Sequence, residues 1–66
     1  MRRLELAITP ELAGIKADTL LKRRLELSGT VVRRIKWLPD GILLDGIRVH
    51  TDARPREGQV LSVRLD

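Results

Sequence analysis

Hydrophobic positions change their period along this chain. From Arg3 to Ile8 they alternate, with Leu4, Leu6 and Ile8 on one side and Arg3, Glu5 and the small Ala7 on the other, the repeat of a half-buried strand. Thr9-Pro10-Glu11 ends that strand, because proline has no N–H to donate to a continuing ladder. Past Gly14 the repeat lengthens. Ala17, Leu20, Leu21 and Leu25 share one face at helical spacing and predict a first helix from Ala17 to Leu25. Ser28 then stands as an N-cap whose hydroxyl accepts from an orphan amide, and Val31, Val32, Ile35 and Leu38 follow at i, i+1, i+4 and i+7 as the apolar stripe of a second helix. The connection between the two stripes is short enough only for a helical hairpin.

Pro39-Asp40-Gly41 stops the second helix, and Ile42-Leu43-Leu44 reads as a strand. Asp45-Gly46 suits a two-residue hairpin because both positions tolerate positive φ, so Ile47 to His50 is the return strand. Thr51 to Gly58 is a loop punctuated by Pro55 and Gly58, and Val60, Leu61, Val63 and Leu65 form a closing strand. The order β-α-α-β-β-β predicts an α+β fold, a two-helix hairpin packed on a small, mainly antiparallel sheet. The chain reads as a single domain over 1–66: N-terminal strand and turn in 1–13, helical hairpin in 14–38, strands in 39–66. It shows no internal repeat, linker or low-complexity segment.

Composition limits how such a fold is held. A chain of 66 residues buries only about 60% of the surface of its unfolded form, so the core is thin. There is no cysteine, which removes disulfides and thiolate metal sites and points to a reducing compartment. No apolar run approaches the about 20 residues of a membrane span, and Glu5 interrupts any signal-like start. The expectation is a soluble, cytoplasmic monomer without a membrane partner. Trp37 is the sole aromatic residue. It lies on the polar side of the second helix, and a thin core recruits large side chains, so Trp37 is expected to pack beside the N-terminal strand. The alternative is stacking on an exposed base.

Charge turns the fold toward a partner. The net charge is +4 and the pI about 10.7, which makes a polyanion the first partner to consider. Between Gly14 and Leu38 seven basic residues (Lys16, Lys22, Arg23, Arg24, Arg33, Arg34, Lys36) face two acidic ones (Asp18, Glu26), an excess of five, while the remainder of the chain carries −1. Arg33 and Arg34 fall opposite the Val31/Ile35/Leu38 stripe, Lys36 at its margin, and Lys22 and Arg23 off the leucine face. Cations so arranged neutralise phosphates and release counterions; the bland counterpart is a solvated face that keeps a small protein soluble. Arg24 falls within the leucine stripe, where its stem can lie along the core while its head reaches water. With one aromatic residue, the chain suits structured RNA, gripped by shape and phosphate, better than a single strand laid on stacking platforms.

Catalytic chemistry is not expected. One histidine and no cysteine leave no converging acids, bases or metal ligands. His50 reads as a surface strand residue, Asp40 and Asp45 as turn residues, and the glycines have no phosphate-loop or dinucleotide spacing. No catalytic residue, metal or cofactor is assigned.

From Gly14 onward the pieces Gly14-Ile15-Lys16-Ala17-Asp18-Thr19-Leu20-Leu21, Leu27-Ser28 with Arg33-Arg34-Ile35-Lys36, Gly41-Ile42-Leu43-Leu44-Asp45-Gly46 and Gly58-Gln59-Val60-Leu61 follow one another in a familiar order. The chain thereby resembles the RNA-binding domain named after ribosomal small-subunit protein four, the S-four domain or alpha-L motif. The strand Arg3 to Ile8, Pro10-Glu11-Leu12-Ala13-Gly14 and Pro39 to Leu44 are most similar to the version at the N-terminus of pseudouridine synthases that modify large-subunit ribosomal RNA. Four positions depart from the family pattern: Lys16 stands for arginine, Ala17 for leucine, Asp45 for asparagine and Gln59 for aspartate. Lys16 keeps the charge but gives up bidentate phosphate geometry. The resemblance implies the alpha-L fold and an accessory role, in which the basic helices dock on ribosomal RNA while a covalently linked catalytic domain, outside this chain, acts on a uridine. Arg64-Leu65-Asp66 echoes the synthases' nucleophile segment without its preceding histidine, and is read as coincidence.

The expected function is therefore an RNA-binding module that presents Lys22, Arg23, Arg33, Arg34 and Lys36 to phosphates of folded RNA, with Lys16 and Arg48 at the margin. Its rival is a protein-interaction module with a basic solubilising face. A helix-turn-helix contact with DNA is a third possibility, disfavoured by the tight Leu27-Ser28-Gly29 connection and the short second helix.

Overall fold

A computed structural model describes residues 2–65; Asp66, and with it the end of the synthase-like echo, lies outside the described residues. The elements are β1 (Arg3–Ala7), α1 (Ala17–Arg23), α2 (Gly29–Ile35), β2 (Ile42–Leu44), β3 (Ile47–Arg48) and β4 (Val60–Arg64). The strands form one antiparallel sheet in the order β1-β4-β2-β3, so the α+β class and the β-α-α-β-β-β order stand as the hydrophobic pattern predicts.

Register puts the apolar alternation to use. Leu4 and Leu6 of β1 lie opposite Val63 and Leu61 of β4, and Ile42 and Leu44 of β2 lie opposite the same two residues. Opposed residues share a face. That face meets the helical stripes, and Ala17, Leu20, Leu21, Val32, Ile35, Ile42, Leu61 and Val63 belong to one buried cluster. Ile8 and Leu12 join it from the end of β1 and the turn beyond.

Both helices are shorter than their stripes. α1 stops at Arg23 because the chain swings through Glu26, whose φ is 56°, and the Leu27 N–H returns to the Leu21 carbonyl. This corrects Leu25 from the last helical residue to the turn, and Arg24 from the leucine stripe to an exposed cap. α2 starts as expected, with Ser28 Oγ accepting from the Val31 N–H at 3.2 Å. It ends at Ile35, not Leu38, because the chain must fold back so that Gly41 packs against the Ile35 carbonyl. β3 keeps two of its four expected residues, although the Val49 N–H still reaches the Ile42 carbonyl. Asp45 and Gly46 have φ of 52° and 81°, as the hairpin turn requires.

The loop after β3 has a structural role that no local pattern announces. α1 has no side-chain cap; instead its Ala17 and Asp18 N–H groups donate to the Ala53 and Thr51 carbonyls at 2.8 and 2.9 Å. Two of the orphan donors of a helix start are thus satisfied from a distant segment. Pro55 is fully buried in the same loop, and Arg54 Nη1 donates to the Gly14 carbonyl at 2.8 Å.

Candidate functional site

The cations divide into two sets by what they touch. Outside the helical segment Arg3, Arg54 and Arg64 hold the fold, whereas Arg48 and Arg56 are exposed. Arg3 donates through Nε to Ser62 Oγ and through Nη1 to the Asp40 carbonyl, each at 2.9 Å, and Arg64 Nη1 donates to Asp40 Oδ1 at 3.0 Å. Asp40 is thus more than a turn residue: it closes the sheet end by facing two arginines, at 3.0 Å from Arg64 and 3.7 Å from Arg3. The Arg64 hydrogen bond, opposed by partial desolvation and joined by the charges of Arg64 and Arg3, holds its carboxyl below the usual carboxylate range.

The helical segment's cations are mostly uncommitted. Lys22 has a partner, Asp18 at 3.4 Å one turn back on α1, and Arg33 Nη2 makes a long 3.4 Å contact with Thr30 Oγ1. Lys16, Arg23, Arg24 and Arg34 are exposed, and their side chains make no ion pair among the described residues. Lys22 and Arg23 lie in the last turn of α1, Arg33 and Arg34 in the last turn of α2. Such positions favour cations through the helix dipole, which accounts for part of the placement but leaves the charged heads available.

One expected phosphate contact and one expected margin residue come together. Lys36, at the end of α2, and the exposed Arg48 of β3 line one open cleft of about 470 Å³ with Trp37, His50, Thr51 and Asp52. The cleft lies between the segment leaving α2 and the segment leaving β3. Lys16 borders the same end of the molecule, because the next residues, Ala17 and Asp18, are hydrogen bonded to the Ala53 and Thr51 carbonyls.

Trp37 is where the sequence expectation fails. Its side chain does not pack beside β1 but is 76% exposed, with Lys36 Nζ 5.4 Å from the ring centroid, within cation–π range. Once α2 ends at Ile35 and the chain turns back, the position after Lys36 projects away from the core. His50, Thr51 and Asp52 also escaped the sequence reading, since only the tertiary return of the loop brings them to α2. The polar-side position of Trp37 on the helical wheel was the one available signal.

Among the described residues no group of three histidine or carboxylate side chains is placed to hold a metal ion, and no helix is long and apolar enough to cross a membrane. Comparisons with protein-family models, with curated proteins and with solved structures give no match.

Proposed function

We propose that this chain is an RNA-binding module that docks on folded RNA through the basic faces of its two helices. The observation that carries the proposal is the segregation of charge: an excess of five on the helical segment, with Lys22 alone of its cations in an ion pair among the described residues. Elsewhere Arg3, Arg54 and Arg64 are spent on internal hydrogen bonds. Arg48 and Arg56 are exposed as well, but a surface needed only for solubility has no reason to gather most of its uncommitted cations on one supersecondary unit. The resemblance to the S-four domain agrees, and extends the proposal to ribosomal RNA, to a cytoplasmic setting and to a non-catalytic accessory role beside a linked pseudouridine synthase domain.

The test is a salt titration of hairpin RNA binding by wild type and by the double variant Arg33→Ala/Arg34→Ala. Both side chains are exposed, so the fold is retained, as circular dichroism will verify. Affinity should fall, and the slope of log K against log salt should flatten by about 1.5, the counterions of two phosphates. Unchanged affinity and slope refute the proposal.

One feature favours the protein-interaction alternative: Ile47 is 70% exposed on the edge strand β3, where strand addition takes place in other folds. An edge of two residues offers little ladder to extend, which is why RNA is preferred. Shifts of β3 amides with a protein partner, and none of the helical amides with RNA, decide for the alternative.

A further inference from the structure

We infer that the cleft between the exits of α2 and β3 is a subsite for one unpaired nucleotide, its base stacked on Trp37 and its flanking phosphates met by Lys36 and Arg48. The inference rests on the RNA-binding proposal and specifies where within it a nucleotide leaves the stack.

Three observations converge on the cleft. First, Trp37 is the only aromatic side chain in the chain, and the fold leaves it 76% exposed although the core is small. Burying such a ring stabilises a thin core considerably, so its exposure costs stability that a binding role recovers. Second, cations share the cleft with the ring. Lys36 Nζ stands over one face of the ring, 5.4 Å from its centroid, and Arg48 lines the same cleft, so a base stacked on the other face has two cations near it for its phosphates. Third, the cleft has the volume of a small-ligand site, about 470 Å³, within the usual range of about 300–1,000 Å³. Its remaining lining is polar: His50, Thr51 and Asp52 offer donors and acceptors to the edge of a base, and Asp52 accepts from an amino or imino N–H.

A paired duplex cannot use this site, because its bases are already stacked and its edges already hydrogen bonded. A bulged or loop nucleotide can. The helical cations would then supply affinity for any folded RNA, and the cleft a preference for RNA with an unpaired base.

The chain's single tryptophan and lack of tyrosine make Trp37 emission a reporter of this site alone. The probes are one RNA hairpin carrying a single-nucleotide bulge and the same stem fully paired, with affinities from the anisotropy of labelled RNA. For wild type, the bulged RNA should quench Trp37 emission and bind about 10-fold more tightly than the paired stem, the scale of one base stacked on an aromatic ring. Trp37→Ala should erase that preference without changing affinity for the paired stem, Trp37→Phe should retain most of it, and Arg33→Ala/Arg34→Ala should weaken both RNAs together. If Trp37→Ala leaves binding of the bulged RNA unchanged while the arginine variant weakens both, the subsite is wrong and the helical interface stands. If wild type binds neither RNA, both fall.

Discussion

Gly41→Ala should be among the most damaging single-methyl changes in this protein. Gly41 does not have a positive φ; glycine is required there by space. A Cβ at Gly41 would collide with the Ile35 carbonyl oxygen, with the carbonyl carbon 2.8 Å and Leu38 Cβ 3.2 Å away. The obstacle is backbone, so no rotamer change relieves it. Moving Gly41 outward by roughly 1 Å, as ordinary carbon contacts demand, stretches two hydrogen bonds, Gly41 N–H to the Leu38 carbonyl at 3.1 Å and Arg64 N–H to the Gly41 carbonyl at 2.9 Å. Each contributes about 1 kcal/mol. Overpacking adds about 1–3 kcal/mol, and the stiffer unfolded chain returns about 0.4–1 kcal/mol. The net loss is about 2–4 kcal/mol, against a total stability of about 3–10 kcal/mol for a chain of this size. Urea unfolding followed by far-ultraviolet circular dichroism measures it; Trp37, being 76% exposed, is a poor unfolding reporter. Gly46→Ala is the control, since its φ is +81° but its Cβ meets nothing within 4 Å, which limits the cost to about 1–2 kcal/mol of left-handed backbone. A Gly41→Ala midpoint equal to wild type, or a smaller loss than for Gly46→Ala, refutes the steric account.

Two further outcomes follow from side-chain hydrogen bonds. Ser28→Ala removes the acceptor for the Val31 N–H and should destabilise the fold by about 1 kcal/mol, read as a lower urea midpoint with unchanged slope; no shift would mean that water caps α2 equally well. Asp40 has a folded-state pKa below its unfolded value because of Arg64 and Arg3, so the stability it contributes is present above about 3.9, the unfolded value, and is lost as pH falls through the lower folded value. Thermal melts from pH 6 down to pH 2 should therefore show wild type above Asp40→Asn at the upper end and the two curves converging at the lower; parallel curves would rule out the linkage.

The elements were legible because each is punctuated locally. Ser28, Pro39 and the Asp45-Gly46 pair fix their turns within a few residues, and the leucine stripe identifies the buried face of α1 without knowledge of the sheet. What escaped depends on contacts across the chain. The helix ends at Arg23 and Ile35 follow from the left-handed Glu26 and from the approach of Gly41 to Ile35; a glutamate carries no turn signal, and Gly41 read only as a helix stop. The cap of α1 comes from carbonyls more than thirty positions away, where any residue type would serve. Trp37 shows the same limit at the site. Its position off the apolar stripe is visible in the sequence, whereas the early end of α2, which leaves the ring in solvent, is not.

The same tertiary contacts explain how a weakly built region can hold the proposed subsite. Val49 to Asp52 follow the shortest strand of the sheet, and a segment leaving a two-residue edge strand would ordinarily drift. Here the Thr51 and Ala53 carbonyls accept the first N–H groups of α1, Pro55 is buried and Arg54 holds Gly14, so the segment is tied to the start of α1 and to the turn before it. The opposite wall is set by the turn in which Gly41 seats against Ile35. Both walls of the cleft are therefore positioned by backbone contacts with the helices, while the groups that would meet RNA, Trp37, Lys36 and Arg48, hang from those walls without supporting them. Substitutions at these side chains should alter binding and spare the fold, whereas changes at Gly41 should reach the site by way of the fold.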